Sequence, residues 1–320
     1  MAETKKESSK SLKIRKAKKQ ISDLNKQIDQ KLKDLQKIRK ARLFPFFSGV
    51  EITPSIVDDI FDDLRNNYKD CNGHLDVIID SGGGDIDAAY NLSMLFRKFG
   101  SKELNFIVPR WAKSAATLLV CSGNKILMSP VAELGPLDPQ ITQINPLEGR
   151  MEQFSPLHIR STLEMIREEF NSGNEKLATG LMERLQFPIT LGGFVKSSEI
   201  GQQYVTRLLE TRMLSDPKEK NTLENVAKQL ATGYANHGFC INIDEAKSLG
   251  LKVCELGDDE LNIVWELHRL NRKKGKIEDE IREDDIMDKI KSLPPGLLDK
   301  LPPVLREKLQ EVTPTINKKE

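Results

Sequence analysis

Residues 112–119 read AKSAATLL, a serine among small side chains where an extended segment gives way to an apolar helix. Two chemistries suit Ser114. Serine is a favoured helix N-cap, its hydroxyl accepting an N–H of the first turn. An attacking hydroxyl wants the same address: a helix N-terminus, a backbone donor on the next residue and no bulk nearby. Taken alone, Ser114 leaves both readings open, and its surroundings are not the GxSxG elbow of α/β-hydrolases. Upstream, IDSGGGD at 79–85 ends a strand in three glycines before a helix. Glycines there permit positive φ and leave backbone N–H groups facing a ligand. No GKS or GKT follows, and Asp85 would set a negative charge where a phosphate would sit. A small oxyanion suits this loop better than a nucleotide.

A proton acceptor is the third requirement. His74 stands before a strand, while His158 and His268 fall in charged amphipathic helical stretches, where solvated surface histidines are expected. His237 lies in a glycine-rich turn, GYANHGF, in which a side chain can be aimed rather than merely packed.

The elements that must position these residues alternate between strand and helix. Residues 56–64 look helical, LDVIID (75–80) is a β-branched apolar run, and 88–99 has helical periodicity. NFIVP (105–109) reads as a second strand, SAATLLVCSG (114–123) as a short helix closed by Gly123, and KILMSP (125–130) as a third strand. Repeated βα units of this length imply a parallel sheet covered by helices. Ligands in such folds sit at the carboxyl ends of the strands, which is where all three candidate groups would converge. Four helical stretches follow between about 155 and 232, then a short motif at 237–253.

At 320 residues, with 38% hydrophobic and 30% charged residues, the chain can bury one main domain and carry appendages. Three parts are expected: residues 1–42, 43–255 and 256–320. The net charge of +1 conceals an uneven distribution, since residues 1–42 hold 15 Lys and Arg against 5 acids. In that segment Ile14, Ala17, Ile21, Leu24, Ile28, Lys31, Leu35 and Ile38 recur at alternating spacings of three and four, the seam of a coiled coil or helical hairpin arm. Its charges surround the seam without interleaved aromatics, so a nucleic-acid partner is not expected. Residues 256–320 read as a charged, proline-marked tail with short helices. Leu297, Leu298, Leu301, Leu305 and Leu309 could dock there on a protein partner.

Cys71, Cys121, Cys240 and Cys254 lie far apart with no CxxC pair, so neither a disulfide framework nor a zinc site is expected, and no metal or cofactor is called for. No run approaches the roughly 18 apolar residues that span a bilayer, and the first residues lack the apolar core of a secretory signal. A cytoplasmic protein without a membrane span is the expectation.

The string PRWAKSAATLLVCSGNKILMSPVAELGPLDPQ (109–140), with IDSGGGD before it and HGFCINIDEAKSLGL after it, resembles the serine dehydrogenase proteinase family. These are Clp-fold serine peptidases related to signal peptide peptidase A and to the Clp proteolytic subunit, within the crotonase-like superfamily. The similarity spans roughly residues 50–255, with its three motifs in matching order. It implies an α/β fold built as a spiral of ββα units. It implies Ser114 as nucleophile, with an oxyanion hole from the N–H groups of Ala115 and Gly84, or of Gly83 in its place. In the Clp proteolytic subunit the triad histidine falls where this chain has LGPLDPQ, and the triad aspartate where this chain has His237. The two roles look exchanged, giving a triad of Ser114, His237 and Asp138, although Asp138 before Pro139 also reads as a plain turn residue. Related proteins commonly carry glycines where this chain has Ala115 and Ala116. A Ser-Lys dyad, as in signal peptide peptidase A, would use Lys125 or Lys113 instead.

The resemblance further implies cleavage of polypeptide through an acyl-enzyme, and self-association through the core and the N-terminal coiled coil. No Walker A sequence is present, so energy-driven unfolding would need another protein. Two other functions suit the same fold: a crotonase-like acyl-CoA enzyme holding a thioester enolate, and a non-catalytic oligomeric scaffold.

Overall fold

The computed structural model describes residues 9–47, 51–68, 72–137, 141–144, 151–154, 156–184, 191–291 and 293–294. In chain order the elements are α1 (Ser9–Arg39), β1 (Arg42–Phe47), α2 (Pro54–Asn67), β2 (His74–Asp80), α3 (Ile86–Phe99), β3 (Glu103–Val108), β4 (Trp111–Ala112) and α4 (Ala115–Val120). Next come β5 (Lys125–Met128), β6 (Glu133–Leu134), β7 (Ile141–Ile144), β8 (Met151–Phe154), α5 (Pro156–Asn171), α6 (Glu175–Arg184) and α7 (Leu191–Leu208). The last are α8 (Lys220–Lys228), α9 (Ile243–Leu249), β9 (Val253–Glu255) and α10 (Asp258–Lys291). Two compact units divide the chain, residues 32–268 and residues 1–31 with 269–320.

The larger unit is built on a parallel sheet in the order β1-β2-β3-β5-β9. Its strands are apolar on both faces. Val77, Ile79, Phe106, Val108, Ile126 and Met128 join the main core cluster, while Ile78 and Ile107 of the other face are equally buried. Near-continuous apolar runs are what a doubly covered parallel sheet requires. A second, two-stranded parallel sheet pairs β4 with β6, so that β3, β4 and α4 form one ββα unit of the expected spiral. The architecture is the parallel α/β one, with ββα units, that the motifs imply.

Local signals set the helix starts. Thr53 caps α2 with Pro54 in the first turn, Asp85 caps α3, and Asn242 caps α9, which ends at Gly250 with φ 99°. Strand β1 was not anticipated: RLFPFF carries Pro45, which argues against a strand by sequence. It lies at the sheet edge, where a residue lacking an N–H is tolerated. The short β4, β6 and β9 and the β7–β8 hairpin likewise fall below what apolar periodicity reveals. Helix α4 stops at Val120 rather than at Gly123. Gly123 instead lies against Phe106, where a Cβ would meet the ring at 2.9 Å.

Residues 258–291 form one 34-residue helix, not the short helices expected of the tail; Leu297, Leu298, Leu301, Leu305 and Leu309 lie outside the described residues. In the smaller unit the heptad seam is the shielded stripe of α1: Leu24 and Ile28 are buried and Ile14, Ala17 and Ile21 half-buried among exposed neighbours. Lys13 Nζ meets Asp284 Oδ2 at 2.7 Å, so the basic first turns of α1 find an acidic stretch of α10 in the same chain. No helix among the described residues is long and apolar enough to cross a membrane.

Candidate active site

Ser114 does not cap α4. Its side chain makes no capping hydrogen bond, and its backbone holds φ 52° and ψ −124°, a conformation that an L-residue adopts at a cost of about 1–3 kcal/mol. Surrounding bonds enforce it. Ser81 N–H donates to Trp111 O (2.8 Å), Lys113 N–H to Ser81 O (3.0 Å), and Ala116 N–H to Lys113 O (2.9 Å). The buried Thr117 hydroxyl donates to Ala112 O (2.6 Å) and accepts Gly135 N–H (3.0 Å), stitching the turn from below. Ala115 and Ala116 are small because they enter the core, at 2% and 0% exposure. The result is a half-buried hydroxyl held out on a strained strand-to-helix elbow.

The glycine turn lies directly against this elbow. A Cβ on Gly83 would stand 2.7 Å from Lys113 O, 2.9 Å from Ser114 Cβ and 3.2 Å from Ala115 N. Gly83 and Gly84 both have positive φ (110° and 144°), and a Cβ on Gly84 would strike the Ile52 backbone at 2.4 Å. Ile52 N–H donates to Gly83 O and Asp85 N–H to Ile52 O, each at 2.8 Å, which fixes the orientation of the turn. Gly83 N–H is taken by Ser81 Oγ at 3.1 Å. Among the described residues neither Gly84 N–H nor Ala115 N–H donates a hydrogen bond. Ala115 N–H beside Ser114 and Gly84 N–H on the adjoining turn are thus left undonated, whereas Gly83 N–H is not. The Asp85 carboxylate accepts Ala88 N–H at 2.7 Å, so the start of α3 is already neutralised.

The loop that carries His237 is tied to this region. Leu134 and Ile241 exchange both backbone hydrogen bonds (2.9 and 3.1 Å), adding the loop to β6, which pairs with β4 just ahead of Ser114. Lys113 ties the two together: its ammonium donates to Leu134 O (3.1 Å) and to Phe239 O (3.3 Å), two residues past His237. The His237 ring is half-buried, and its Nδ1 is buried with no hydrogen-bond partner among the described residues. Asp138, the expected partner, lies outside the described residues. Its neighbour Leu137 is buried and donates its N–H to Leu230 O at 2.8 Å, on the π-helical turn Gln229–Gly233 from which the His237 loop departs.

The two lysines fare differently. Lys125 opens β5 at the amino edge of the parallel sheet, beside His74 and Glu103, with its ammonium 3.5 Å from Glu103. That is the edge opposite the elbow, so Lys125 is not brought to Ser114. Lys113 adjoins Ser114 in sequence, yet its ammonium is turned into an ion pair with Glu133 at 2.9 Å. Arg110 takes the other Glu133 oxygen at 2.6 Å. The Lys113 hydrogen bond, followed by that of Arg110, holds the Glu133 carboxyl at about 2, well below its ordinary value, against the opposing effect of burial. The three N–H donors of Lys113 are thereby taken up by Glu133, Leu134 O and Phe239 O.

His268 departs from expectation. It is a buried residue, 2% exposed, with Nδ1 2.5 Å from Asp80 Oδ2. Its helical periodicity resembled a charged surface, and no local signal marks a partner 188 residues away. His74 is half-exposed as expected, 3.6 Å from Glu103; the His158 side chain lies outside the described residues. Two of the thiols are pushed away from the reactive form: burial pushes the Cys121 thiol up to about 12, and desolvation with the Glu133 carboxylate raises Cys240. Among the described residues no group of His, Cys, Asp and Glu is placed to hold a metal ion.

Residues 9–151 match the family model described as the ClpP-like SDH-type serine proteinase. The uncharacterized protein MJ0137 of Methanocaldococcus jannaschii is 26% identical over 235 residues, covering 73% of this chain and 71% of its own length. MJ1495 of the same organism is 24% identical over 179 residues, or 56% of this chain and 51% of its own. Among solved structures, a serine-to-alanine mutant of the 1510-N membrane-bound stomatin-specific protease aligns with TM-score 0.42 and 15% identity, over 68% of this chain and 81% of that one. ClpP1 from Listeria monocytogenes aligns with TM-score 0.36 and 16% identity, over 70% and 98%.

Proposed function

We propose that this protein, whose residues 9–151 match the model of the ClpP-like SDH-type serine proteinases, is a serine endopeptidase acting through an acyl-enzyme on Ser114. One observation carries the reading: the Ser114 hydroxyl is held on a strained backbone without the capping bond that would explain a serine there, next to the undonated Ala115 N–H and against the glycine turn that carries the undonated Gly84 N–H. Strain of that kind persists where surrounding structure enforces it and chemistry uses it.

In the proposed sequence His237 takes the Ser114 proton as Oγ attacks a peptide carbonyl, and Asp138 steadies the imidazole. Gly84 N–H and Ala115 N–H receive the negative charge that develops on the carbonyl oxygen, a contribution worth about 10²–10³ in rate per donor. Collapse expels the amine with the proton returned from His237, and water then repeats the steps in reverse roles to release the acid. The orphaned Nδ1 of His237, and the bond that draws Leu137 to the root of its loop, support the exchanged order of the triad. Engagement of Lys113 with Glu133, and the position of Lys125 at the far edge, weigh against a Ser-Lys dyad.

A crotonase-like reading requires carboxylates open to the site for proton transfer. Asp85 is spent on capping α3 and Glu133 on Lys113 and Arg110, which favours the hydrolase. Self-association through the core and the N-terminal helix completes the proposal, as does polypeptide as substrate.

A fluorophosphonate probe tests it on the full chain. Labelling is expected on Ser114 in the wild type, lost in Ser114→Ala, and slowed about 10²–10⁴-fold in His237→Ala, the usual value of a general base. A folded wild-type protein that never labels overturns the peptidase and leaves the crotonase-like enzyme and the scaffold; undiminished labelling in His237→Ala overturns the triad alone.

A further inference from the structure

We propose that Asp80 and His268 are positioning residues for the Ser114 elbow, with the buried imidazole holding the Asp80 carboxylate so that it anchors the backbone ahead of the nucleophile. The proposal rests on Ser114 being that nucleophile. His268 projects from the start of α10, its ring stacked on Trp265 at a centroid distance of 4.9 Å and 26° between planes. Its Nδ1 meets one oxygen of Asp80 at 2.5 Å; the other oxygen accepts Trp111 N–H at 3.2 Å. Trp111 is three residues before Ser114.

Asp80 is also the last residue of β2, and the next residue does the rest of the local work. Ser81 exchanges backbone hydrogen bonds with Trp111 and Lys113 on one side, and its hydroxyl takes Gly83 N–H on the other. The stretch 80–83 thus sets both the strand that delivers Ser114 and the turn that delivers Gly84 N–H. His268 Nδ1 holds the second oxygen, and with it the carboxylate orientation in which the first accepts Trp111 N–H. A buried polar pair adds little stability over apolar residues of equal size, whereas its directional bonds specify geometry. Geometry is what an elbow needs, since a displacement of about 1 Å at a reacting group costs about 10² in rate.

The test uses the full chain and two readouts: amide exchange over residues 108–118 by mass spectrometry, and the rate of fluorophosphonate reaction at Ser114. His268→Leu removes the donor and keeps the bulk. Exchange in that segment should rise about tenfold and labelling fall about 10–100-fold, the scale of a misplaced reacting group. His268→Asn, whose amide Nδ2 can donate from near the place of the imidazole Nδ1, should return both to within about threefold of wild type, by preserving the bond. If His268→Leu fails to fold, His268→Phe keeps the stack on Trp265 without the donor and gives the same two readouts. Wild-type exchange and labelling in the folded variant overturns the proposal. So does His268→Asn as impaired as His268→Leu, which would assign the effect to ring packing. A wild type that never labels overturns the nucleophile, while exchange still decides the clamp.

Discussion

Two strands of this protein cross into helices within a few ångströms of each other, and the crossings use the same sequence device for opposite ends. At β2–α3 the residue before the helix is Asp85, extended at φ −68° and ψ 127°, its carboxylate bonded to Ala88 N–H. At β4–α4 it is Ser114, at φ 52° and ψ −124°, its hydroxyl bonded to nothing in the helix. Both are preferred capping residues before an apolar run. One is consumed by the helix and stabilises it; the other is withheld from the helix at a cost in backbone strain. The contrast teaches that a polar residue at a helix start is read by its φ and its hydrogen bonds, not by its type.

The comparison can be broken most severely at the glycine between the two crossings. Gly83→Ala forces a Cβ to 2.7 Å from Lys113 O and 3.2 Å from Ala115 N at φ 110°. Labelling of Ser114 should fall by at least the 10²–10³ of a lost oxyanion donor. A folded Gly83→Ala protein that labels at the wild-type rate would separate the glycine turn from the elbow.

Smaller effects sharpen the contrast by moving in opposite directions. Asp85→Ala should lower stability by about 1 kcal/mol in a denaturant titration, the value of a lost cap. Ser114→Gly should raise it by about 1 kcal/mol by relieving positive φ. If Ser114→Gly is destabilising, the hydroxyl contributes to the fold and the elbow is not withheld.

The smallest effect is a pH dependence at the ion pair beside Ser114. The Glu133 carboxyl is depressed from its ordinary value to about 2, so its contribution is present above the unfolded value, near 4.5, and is lost as pH falls toward about 2. The stability gap between wild type and Glu133→Gln should be constant from pH 7 to about 5 and close below that; a gap that widens in acid would contradict the pairing.

Much of this arrangement is legible without coordinates. The apolar runs of β2, β3 and β5, the heptad on α1 and the glycine turn all follow from periodicity and from what glycine alone permits. Less is legible where an element is too short to show a period: β4 and β6 have two residues each, yet they join the Ser114 elbow to the His237 loop. Pro45 obscured β1 because an edge position, known only from the sheet order, is what tolerates it. His268 reads as a surface residue in the sequence because a helix period reports how often a face turns inward, not what waits there.

The amino-acid sequence by itself determined the chemical inventory: a hydroxyl before a helix, three consecutive glycines after a strand, one histidine in a flexible turn, and the spacing that puts them on a parallel α/β scaffold. Only the tertiary structure decided their employment. It withheld Ser114 from capping, spent Gly83 N–H on Ser81 and left Gly84 free, turned Lys113 into an ion pair, left Lys125 at the far edge and buried His268 against Asp80. The reason is range. Propensity and periodicity act over a few residues, whereas the sign of φ at an elbow and the partner of a buried polar group are imposed by segments tens to hundreds of residues away.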